Sequence, residues 1–279
     1  MSALPSYDAQ PLPGGDRDYE QFVTFLRGHV GLDLDQYKRR QMERRIRAFA
    51  QRRGVNDLVA YADIVRGDVD ETNALLDRIT INVSQLFRNP EQWTRMAEDI
   101  IPELARTGNG KIRAWSAGCS FGAEAYSLAA TAQAAAPDAR LEIRASDIDR
   151  RILAAAGRGE FSEDDARTAP KQLLEASFER RADGGWTASR ELLRTVSFHH
   201  EDLLAVAPPA GSYDLVLCRN VVIYFTPEAR EDCHARLAAS LRPGGYLVIG
   251  STERVAQPLD ELGLELAWPF VYRKVGGAR

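Results

Sequence analysis

A loop of small residues is the first part of the sequence that could hold a ligand. Residues 116–122, Ser-Ala-Gly-Cys-Ser-Phe-Gly, separate the predicted strand 112–115 from the predicted helix 123–135. Small side chains let a ligand approach the backbone, and the first turn of a helix offers N–H groups without intrahelical partners. The loop does not spell the dinucleotide pattern G-x-G-x-x-G, because Gly118 and Gly122 are its only glycines. A plain tight turn explains the loop equally well when it is taken alone.

An acidic side chain ends the next predicted strand. Asp147 follows the predicted strand 141–145 in the sequence Ala-Ser-Asp-Ile-Asp. A carboxylate at the end of the second strand of a doubly wound sheet can accept hydrogen bonds from both ribose hydroxyls. The competing interpretation is a helix N-cap, for which Asp149 is better placed than Asp147. A strand, a small-residue loop, a helix and an acid-ended strand together indicate a nucleoside cofactor.

Polar side chains follow a third apolar run. Residues 215–217 predict a buried central strand, which places Arg219 and Asn220 at its carboxyl end, over the expected cofactor cleft. Polar residues in this position are often only turn formers. A guanidinium and an amide, followed by the phenol of Tyr224, are more than a turn requires.

One predicted helix is strongly basic. Residues 36–53 contain eight Lys and Arg residues against the single acid Glu43, a balance of +7, which leaves −11 for the rest of a chain whose net charge is −4. Arg40, Arg44 and Arg47 share one face of this helix. A charge run is usually a solvated face, but this asymmetry favours an acidic partner surface. Nucleic acid fits less well, because no aromatic or groove-reading motif accompanies the arginines.

The elements that must position these residues fall into two regions. Residues 1–15 are rich in Pro and Gly and are predicted to be a flexible tail. Apolar residues at three- and four-residue spacing predict a helical N-terminal domain and linker over 16–97. Strands then alternate with helices, which predicts βαβ units and a mostly parallel, doubly wound α/β sheet over 98–279.

One stretch interrupts this alternation. Residues 178–187 predict two strands around the turn Asp-Gly-Gly at 183–185. With the alternating residues 195–199 they are interpreted as a small antiparallel β-subdomain inserted over about 170–200. Residues 264–273 predict a single closing strand.

Composition narrows the class of protein. The chain of 279 residues is 44% hydrophobic, 27% charged and 8% aromatic, which excludes disordered, collagen-like and low-complexity proteins. Its mild acidity argues against a nucleic-acid binder. Its three cysteines are far apart and form neither a disulfide framework nor a metal motif. No secretory signal or membrane span is evident. We expect a soluble cytoplasmic monomer that holds no metal, binds no nucleic acid and does not insert into a membrane.

Four segments, taken in order, resemble motifs of the CheR family. These S-adenosylmethionine-dependent methyltransferases esterify glutamates of bacterial chemotaxis receptors. The resemblance runs from about residue 19 to residue 274, and its motifs are at 80–90, 115–129, 145–149 and 218–225. It implies a class I methyltransferase-like doubly wound sheet with an all-α N-terminal domain and a small inserted antiparallel β-subdomain. It also implies S-adenosylmethionine as cofactor and the cytoplasmic helices of methyl-accepting receptors as partners.

The resemblance also implies roles for individual residues. The implied cofactor contacts are Asn82, Ser84, Arg88, Gly118, Glu124, Asp147, Asp202, Leu203, Asn220 and Val221. Ser84 stands where Thr is frequent in the family. Arg219 and Tyr224 are the candidates for orienting the substrate carboxylate, the alternative being that Arg219 pairs within the fold and Tyr224 packs. The candidates for binding the acidic receptor surface are Arg40, Arg44 and Arg47.

Two other functions remain open at this stage. The chain could be a catalytically silent adaptor that binds the cofactor and docks partners in a signalling pathway. The carboxylate of Asp147, together with Arg88 and Asn220, argues against this alternative. A nucleotide-dependent oxidoreductase is disfavoured by the missing G-x-G-x-x-G pattern.

Overall fold

The computed structural model describes residues 16–80 and 83–276. The chain divides into two compact units, an N-terminal unit, Met1–Ile81, and a C-terminal unit, Asn82–Arg279. The sequence had placed the end of the helical region near residue 97. The boundary lies earlier because the next helical stretch buries Met96, Ile100 and Leu104 in the core of the C-terminal unit.

The described part of the N-terminal unit is helical. Its elements are α1 (Asp16–Val30), a 3-10 turn (Leu34–Gln36), α2 (Arg39–Arg52), α3 (Leu58–Gly67) and α4 (Val69–Thr80). The basic helix α2 starts later than expected, because Tyr37 and Lys38 have extended backbone. The side chain of Asp57 caps α3 by accepting from the N–H groups of Val59 and Ala60.

Buried ion pairs accompany the apolar core of this unit. Arg47 is only 4% exposed. Its guanidinium donates to Asp18 at 2.7 and 2.8 Å and to Glu43 at 2.7 and 2.9 Å. The hydrogen bond from Arg47 lowers the pKa of Asp18. The expectation that Arg47 shares an exposed face with Arg40 and Arg44 is therefore wrong, because Arg47 points inward to neutralise two carboxylates.

The C-terminal unit is built from alternating helices and strands. Its helices are α5 (Pro90–Arg95), α6 (Ile101–Thr107), α7 (Ala123–Ala135), α8 (Arg150–Ala156), α9 (Lys171–Ser177), α10 (Arg190–Thr195) and α11 (Pro227–Ser240). Its strands are β1 (Lys111–Ala117), β2 (Arg140–Asp147), β3 (Glu160–Phe161), β4 (Phe178–Arg180), β5 (Trp186–Ala188), β6 (Val196–His200), β7 (Tyr213–Cys218), β8 (Leu241–Ile249), β9 (Leu264–Trp268) and β10 (Val271–Lys274).

Seven of these strands form the main sheet of the described residues, in the order β6-β2-β1-β7-β8-β10-β9. Strands β6, β2, β1, β7 and β8 pair in parallel, whereas β10 runs antiparallel to both of its neighbours. The central strands β1 and β7 are almost continuously buried, as expected for parallel strands that are covered on both faces. The carboxyl ends of β1, β2 and β7 therefore meet at one edge of the sheet.

Three expectations about strands were wrong. Residues 195–199 do not belong to the small sheet, because β6 pairs in parallel with β2, Val196 lying opposite Ile143. The small sheet has the order β3-β5-β4 and so begins near residue 160 instead of 170. The closing strand is a hairpin of β9 and β10, because Phe270 adopts a left-handed backbone and reverses the chain after Pro269.

Length and apolar character decide whether a helix can cross a bilayer. Across residues 16–80 and 83–276, none combines the length and the apolar character needed to cross a membrane.

A buried histidine gives the C-terminal unit an acid-sensitive element. His234 on α11 is fully buried, and neither of its ring nitrogens has a hydrogen-bond partner among the described residues. Burial, assisted by the positive charge of Arg230, lowers the pKa of His234 to about 4. The folded unit therefore keeps this ring neutral in mildly acidic solution.

Acidification should destabilise the C-terminal unit through His234. An exposed histidine in the unfolded chain has a pKa of about 6.5, so the unfolded state takes up the proton first as the pH falls. This linkage removes about 2 kcal/mol of stability at pH 5, and His234→Leu should abolish that part of the pH dependence. Denaturation between pH 7.5 and 5, followed by tryptophan fluorescence, measures it, because all four tryptophans lie in this unit. His29→Leu is the control, and an unchanged acid sensitivity in the His234 variant would contradict the assignment.

Candidate active site

The loop after β1 is bound to the end of β2 by backbone hydrogen bonds. The N–H groups of Gly118 and Cys119 both donate to the carbonyl oxygen of Ser146, at 2.8 and 2.9 Å. The N–H of Ser120 donates to Oδ2 of Asp147 at 2.8 Å. The predicted small-residue loop and the predicted acid are therefore neighbours at the carboxyl edge of the main sheet.

Gly118 also brings the residues after β7 into the same place. Its φ is +76°, and a Cβ atom at this position would lie 2.5 Å from Cγ2 of Val221. Only glycine permits this approach together with the left-handed backbone. Gly118, Asp147, Asn220 and Val221, which were predicted from three separate parts of the sequence, thus line one edge of the sheet.

The carboxylate of Asp147 keeps capacity to bind a ligand. Its Oδ1 accepts from the N–H of Asp149 at 3.1 Å, and its Oδ2 accepts from Ser120. Each carboxylate oxygen has a second lone pair, so both oxygens can still accept from vicinal hydroxyls. Burial raises the pKa of Asp147, and the backbone N–H groups act in the opposite direction. Asp149 is the helix cap, since it accepts from the N–H groups of Arg151 and Ile152, as its position indicated.

Glu124 lies beneath the loop on the first turn of α7. It is 8% exposed, and its two oxygens accept from the hydroxyl of Ser116 at 2.6 Å and from the guanidinium of Arg219 at 3.3 Å. Burial raises the pKa of Glu124, and the positive charges of Arg219 and Arg88 counteract this effect. Glu124 therefore joins the end of β1 to the residue that follows β7.

Arg219 is occupied by the protein itself. Besides Glu124, its guanidinium donates to Oε1 of Gln92 at 2.9 Å, to the carbonyl oxygen of Arg88 at 2.6 Å and to Oδ1 of Asn89 at 3.1 Å. It is buried and lies 5.4 Å from the ring centroid of Trp93. Of the two interpretations of Arg219, the geometry favours pairing within the fold. The proposal that Arg219 orients the substrate is therefore withdrawn.

The other predicted site residues are less closely defined. Asp202 and Leu203 follow β6, and the hydrogen bond from the N–H of Glu201 to the carbonyl oxygen of Asp147 places them beside the end of β2. Tyr224 ends a 3-10 turn after Val221 and is half-buried. The remaining predicted contacts precede α5. Ser84 and Arg88 are both half-buried there, and Asn82 lies outside the described residues.

Comparison with known proteins identifies the family. Residues 17–80 match the CheR methyltransferase all-alpha domain, and residues 82–265 match the CheR methyltransferase SAM binding domain. The chain belongs to the CheR methyltransferase family. It is 34% identical over 263 residues to a chemotaxis protein methyltransferase of Listeria innocua, which covers 94% of this chain and 99% of that protein. It is 29% identical over 274 residues to chemotaxis protein methyltransferase 1 of Pseudomonas aeruginosa, again with 94% and 99% coverage.

Membership of the CheR family confirms three expectations from the sequence. The chain is a methyltransferase, its cofactor is S-adenosylmethionine, and its fold is the class I methyltransferase-like sheet with an all-α N-terminal domain and a small antiparallel sheet. The edge described above suits such a cofactor. Gly118 leaves the loop backbone without a side chain, and Asp147 places a carboxylate at the end of β2.

Sequence reasoning missed two residues of this CheR site. Gln92 accepts from Arg219 and donates its amide to the carbonyl oxygen of Ile249 at 3.0 Å, which connects α5 to the end of β8. Glu253 accepts from the N–H of Asn220, just after β7, at 2.9 Å. Neither residue directly follows an apolar strand, which was the signal that found the others. The available sign of Gln92 was a polar residue beside Trp93, just after the motif at 80–90.

Replacing Asp147 tests the cofactor assignment. Asp147→Ala should weaken the binding of S-adenosylhomocysteine at least about tenfold, because hydrogen bonds to a charged acceptor contribute about 1.5–3 kcal/mol. Isothermal titration calorimetry measures the change. Asp149→Ala is the matched control, since it removes a carboxylate from the same loop and costs about 1 kcal/mol of helix capping but should leave the affinity within about threefold. Unchanged affinity in the Asp147 variant would refute the assignment.

Proposed function

We propose that this chain transfers the methyl group of S-adenosylmethionine to glutamate side chains on the cytoplasmic helices of methyl-accepting chemotaxis receptors. The products are glutamate methyl esters and S-adenosylhomocysteine. The observation that carries the proposal is similarity along almost the whole length of proteins named chemotaxis protein methyltransferase. The alternative is a catalytically silent adaptor. The carboxylate of Asp147 and the close approach of Val221 to Gly118 argue against this alternative.

The proposed reaction requires little acid–base catalysis from the protein. When bound, S-adenosylmethionine supplies a methyl group on a positively charged sulfur. A glutamate carboxylate is already ionised near neutral pH and does not require a general base. The residues at the edge of the sheet must then hold the carboxylate in line and exclude water.

Arg88 and Tyr224 are the side chains that we propose for orienting the substrate carboxylate. Tyr224 remains from the sequence-based pair, and it ends the 3-10 turn that follows the Asn220-Val221 segment. Arg88 takes the place of Arg219, because the donors of Arg219 are directed at protein acceptors. The charge of Arg88 lies near enough to Glu124 to lower the pKa of that buried carboxyl. A cation at this position would attract an anionic substrate.

The N-terminal unit supplies a surface that suits an acidic receptor helix. Arg40 and Arg44 are one helical turn apart on α2, and both are exposed. A row of receptor glutamates would complement them. Arg47 is removed from this proposed surface because of its ion pairs with Asp18 and Glu43.

Methyl transfer can be tested directly with a receptor. The purified chain, S-adenosylmethionine with a labelled methyl group and a receptor cytoplasmic fragment should give labelled receptor. Mild base should release the label as methanol, because the expected product is an ester. A fragment with its methyl-accepting glutamates changed to alanine is the control. Base-stable label would contradict a carboxylate acceptor, and cofactor binding without transfer to any receptor would support the adaptor.

The Arg40→Ala, Arg44→Ala double variant tests the receptor surface. Exposed charge pairs contribute about 0.2–1 kcal/mol each, so kcat/KM for the receptor should fall roughly twofold to thirtyfold at low salt, with S-adenosylhomocysteine affinity unchanged. The difference from wild type should shrink as salt rises, because screening acts over about 8–10 Å. Arg47→Ala is the contrast, since it removes the guanidinium that pairs with both Asp18 and Glu43 and should lower the thermal stability of the chain. Normal methylation by the double variant at low salt would show that α2 is only solvated.

A further inference from the structure

Glu253 joins the ends of two neighbouring strands of the main sheet. It is 3% exposed. Its Oε2 accepts from the N–H of Gly250, directly after β8, at 2.6 Å and from the N–H of Asn220, just after β7, at 2.9 Å. The parallel pairing of β7 with β8 ends beside this point, with Cys218 opposite Ile249. The carboxylate therefore links the two strands just beyond their last backbone pairing.

The backbone that Glu253 holds has a conformation that few residues other than glycine adopt. Asn220 has a φ of +61°, in the left-handed region, which asparagine tolerates better than most other residues. Gly250 leaves the room that this arrangement needs. A Cβ atom at Gly250 would lie 2.6 Å from Oε2 of Glu253 and 2.9 Å from Nδ2 of Asn220. The turn after β7 is thus held in place by Gly250 and Glu253, the residues that follow β8.

We propose that Glu253 is a positioning residue for the cofactor site. By holding the N–H of Asn220, it fixes the Asn220-Val221 segment in the place where Val221 packs against Gly118. This inference rests on the proposed role of Asn220 and Val221 as cofactor contacts. Glu253 acts through these two residues, so its loss should loosen cofactor binding before it affects the receptor surface.

Unpartnered atoms at the same place favour a role in binding over one in stability. Oε1 of Glu253 and Oδ1 of Asn220 are both buried, and neither accepts a hydrogen bond from any described residue. Burial also raises the pKa of Glu253. A buried acceptor without a partner lowers stability, and such features persist mainly where the geometry serves a function.

A second carboxylate of the same unit provides the matched control. Glu103 on α6 accepts from the hydroxyl of Tyr246 at 2.8 Å and from the guanidinium of Arg273 at 2.6 Å. Tyr246 lies opposite Leu215 in the register of β7 and β8, away from the carboxyl edge. Removing Glu103 therefore deletes two hydrogen bonds of the fold without touching the turn at Asn220.

The test compares Glu253→Ala, Glu253→Gln and Glu103→Ala by calorimetry with S-adenosylhomocysteine, by thermal unfolding and by steady-state kinetics. We expect Glu253→Ala to weaken S-adenosylhomocysteine binding at least tenfold and to raise KM for S-adenosylmethionine by a similar factor. KM for the receptor fragment should stay within threefold. Glu253→Gln should stay within threefold throughout, because its carbonyl can accept from the same N–H groups. Glu103→Ala should lower the melting temperature and leave the affinity unchanged.

Several outcomes would overturn the inference. Affinity of Glu253→Ala within threefold of wild type, or an equal loss of affinity in Glu103→Ala, would make Glu253 an ordinary part of the fold. If Glu253→Ala does not fold, Gly250→Ala replaces it, since its methyl group intrudes between Glu253 and Asn220 and should weaken binding in the same way. Wild-type protein that binds S-adenosylhomocysteine but methylates no receptor would defeat the proposed function and leave this inference standing.

Discussion

The site depends on the hydrogen bonds and the ion pair made by one buried side chain, the guanidinium of Arg219. The guanidinium donates to the turn before α5, to Gln92 and to Glu124. These hydrogen bonds hold all three at the end of β7. A cation in this position is tolerated because one carboxylate and several neutral oxygens compensate for lost water. Burial still lowers the pKa of Arg219 and raises that of Glu124, and the attraction between the two opposite charges offsets both shifts. Removing either would leave the other unpaired inside the protein.

Left-handed backbone is concentrated around this network. The described residues contain six non-glycine positions with positive φ, and Phe87, Asn89, Ser120 and Asn220 all lie in segments that the network or its neighbours bind. Each is held by a specific contact, such as the N–H of Phe87 donating to Ser127 at 2.8 Å. Strain of this kind survives only where the surroundings determine the conformation. The edge of the sheet is therefore shaped before any ligand arrives.

The sequence predicted the elements better than the contacts. Apolar runs placed β1, β2, β7 and α7 correctly, because burial and periodicity are local properties of the chain. Residues 195–199 were misassigned because alternation identifies a strand and not its partner. Asp147 and Gly118 follow strands directly, so position alone indicated them. The role of Arg219 depends on residues 95 to 131 positions away. No local pattern distinguishes a guanidinium that faces substrate from one that faces a carboxylate.

The same ambiguity governs the basic helix. Its formal charge of +7 suggested a cationic face. In the folded N-terminal unit, however, ion pairs with carboxylates neutralise part of that charge. Arg47 is paired with Asp18 and Glu43, and Arg53 donates to the buried carboxylate of Glu71. Formal charge counted along a sequence therefore overstates the field that a partner meets. What reaches the surface is decided by which arginines the core needs. Of the three arginines that the sequence placed on one face, Arg40 and Arg44 are exposed and Arg47 is buried.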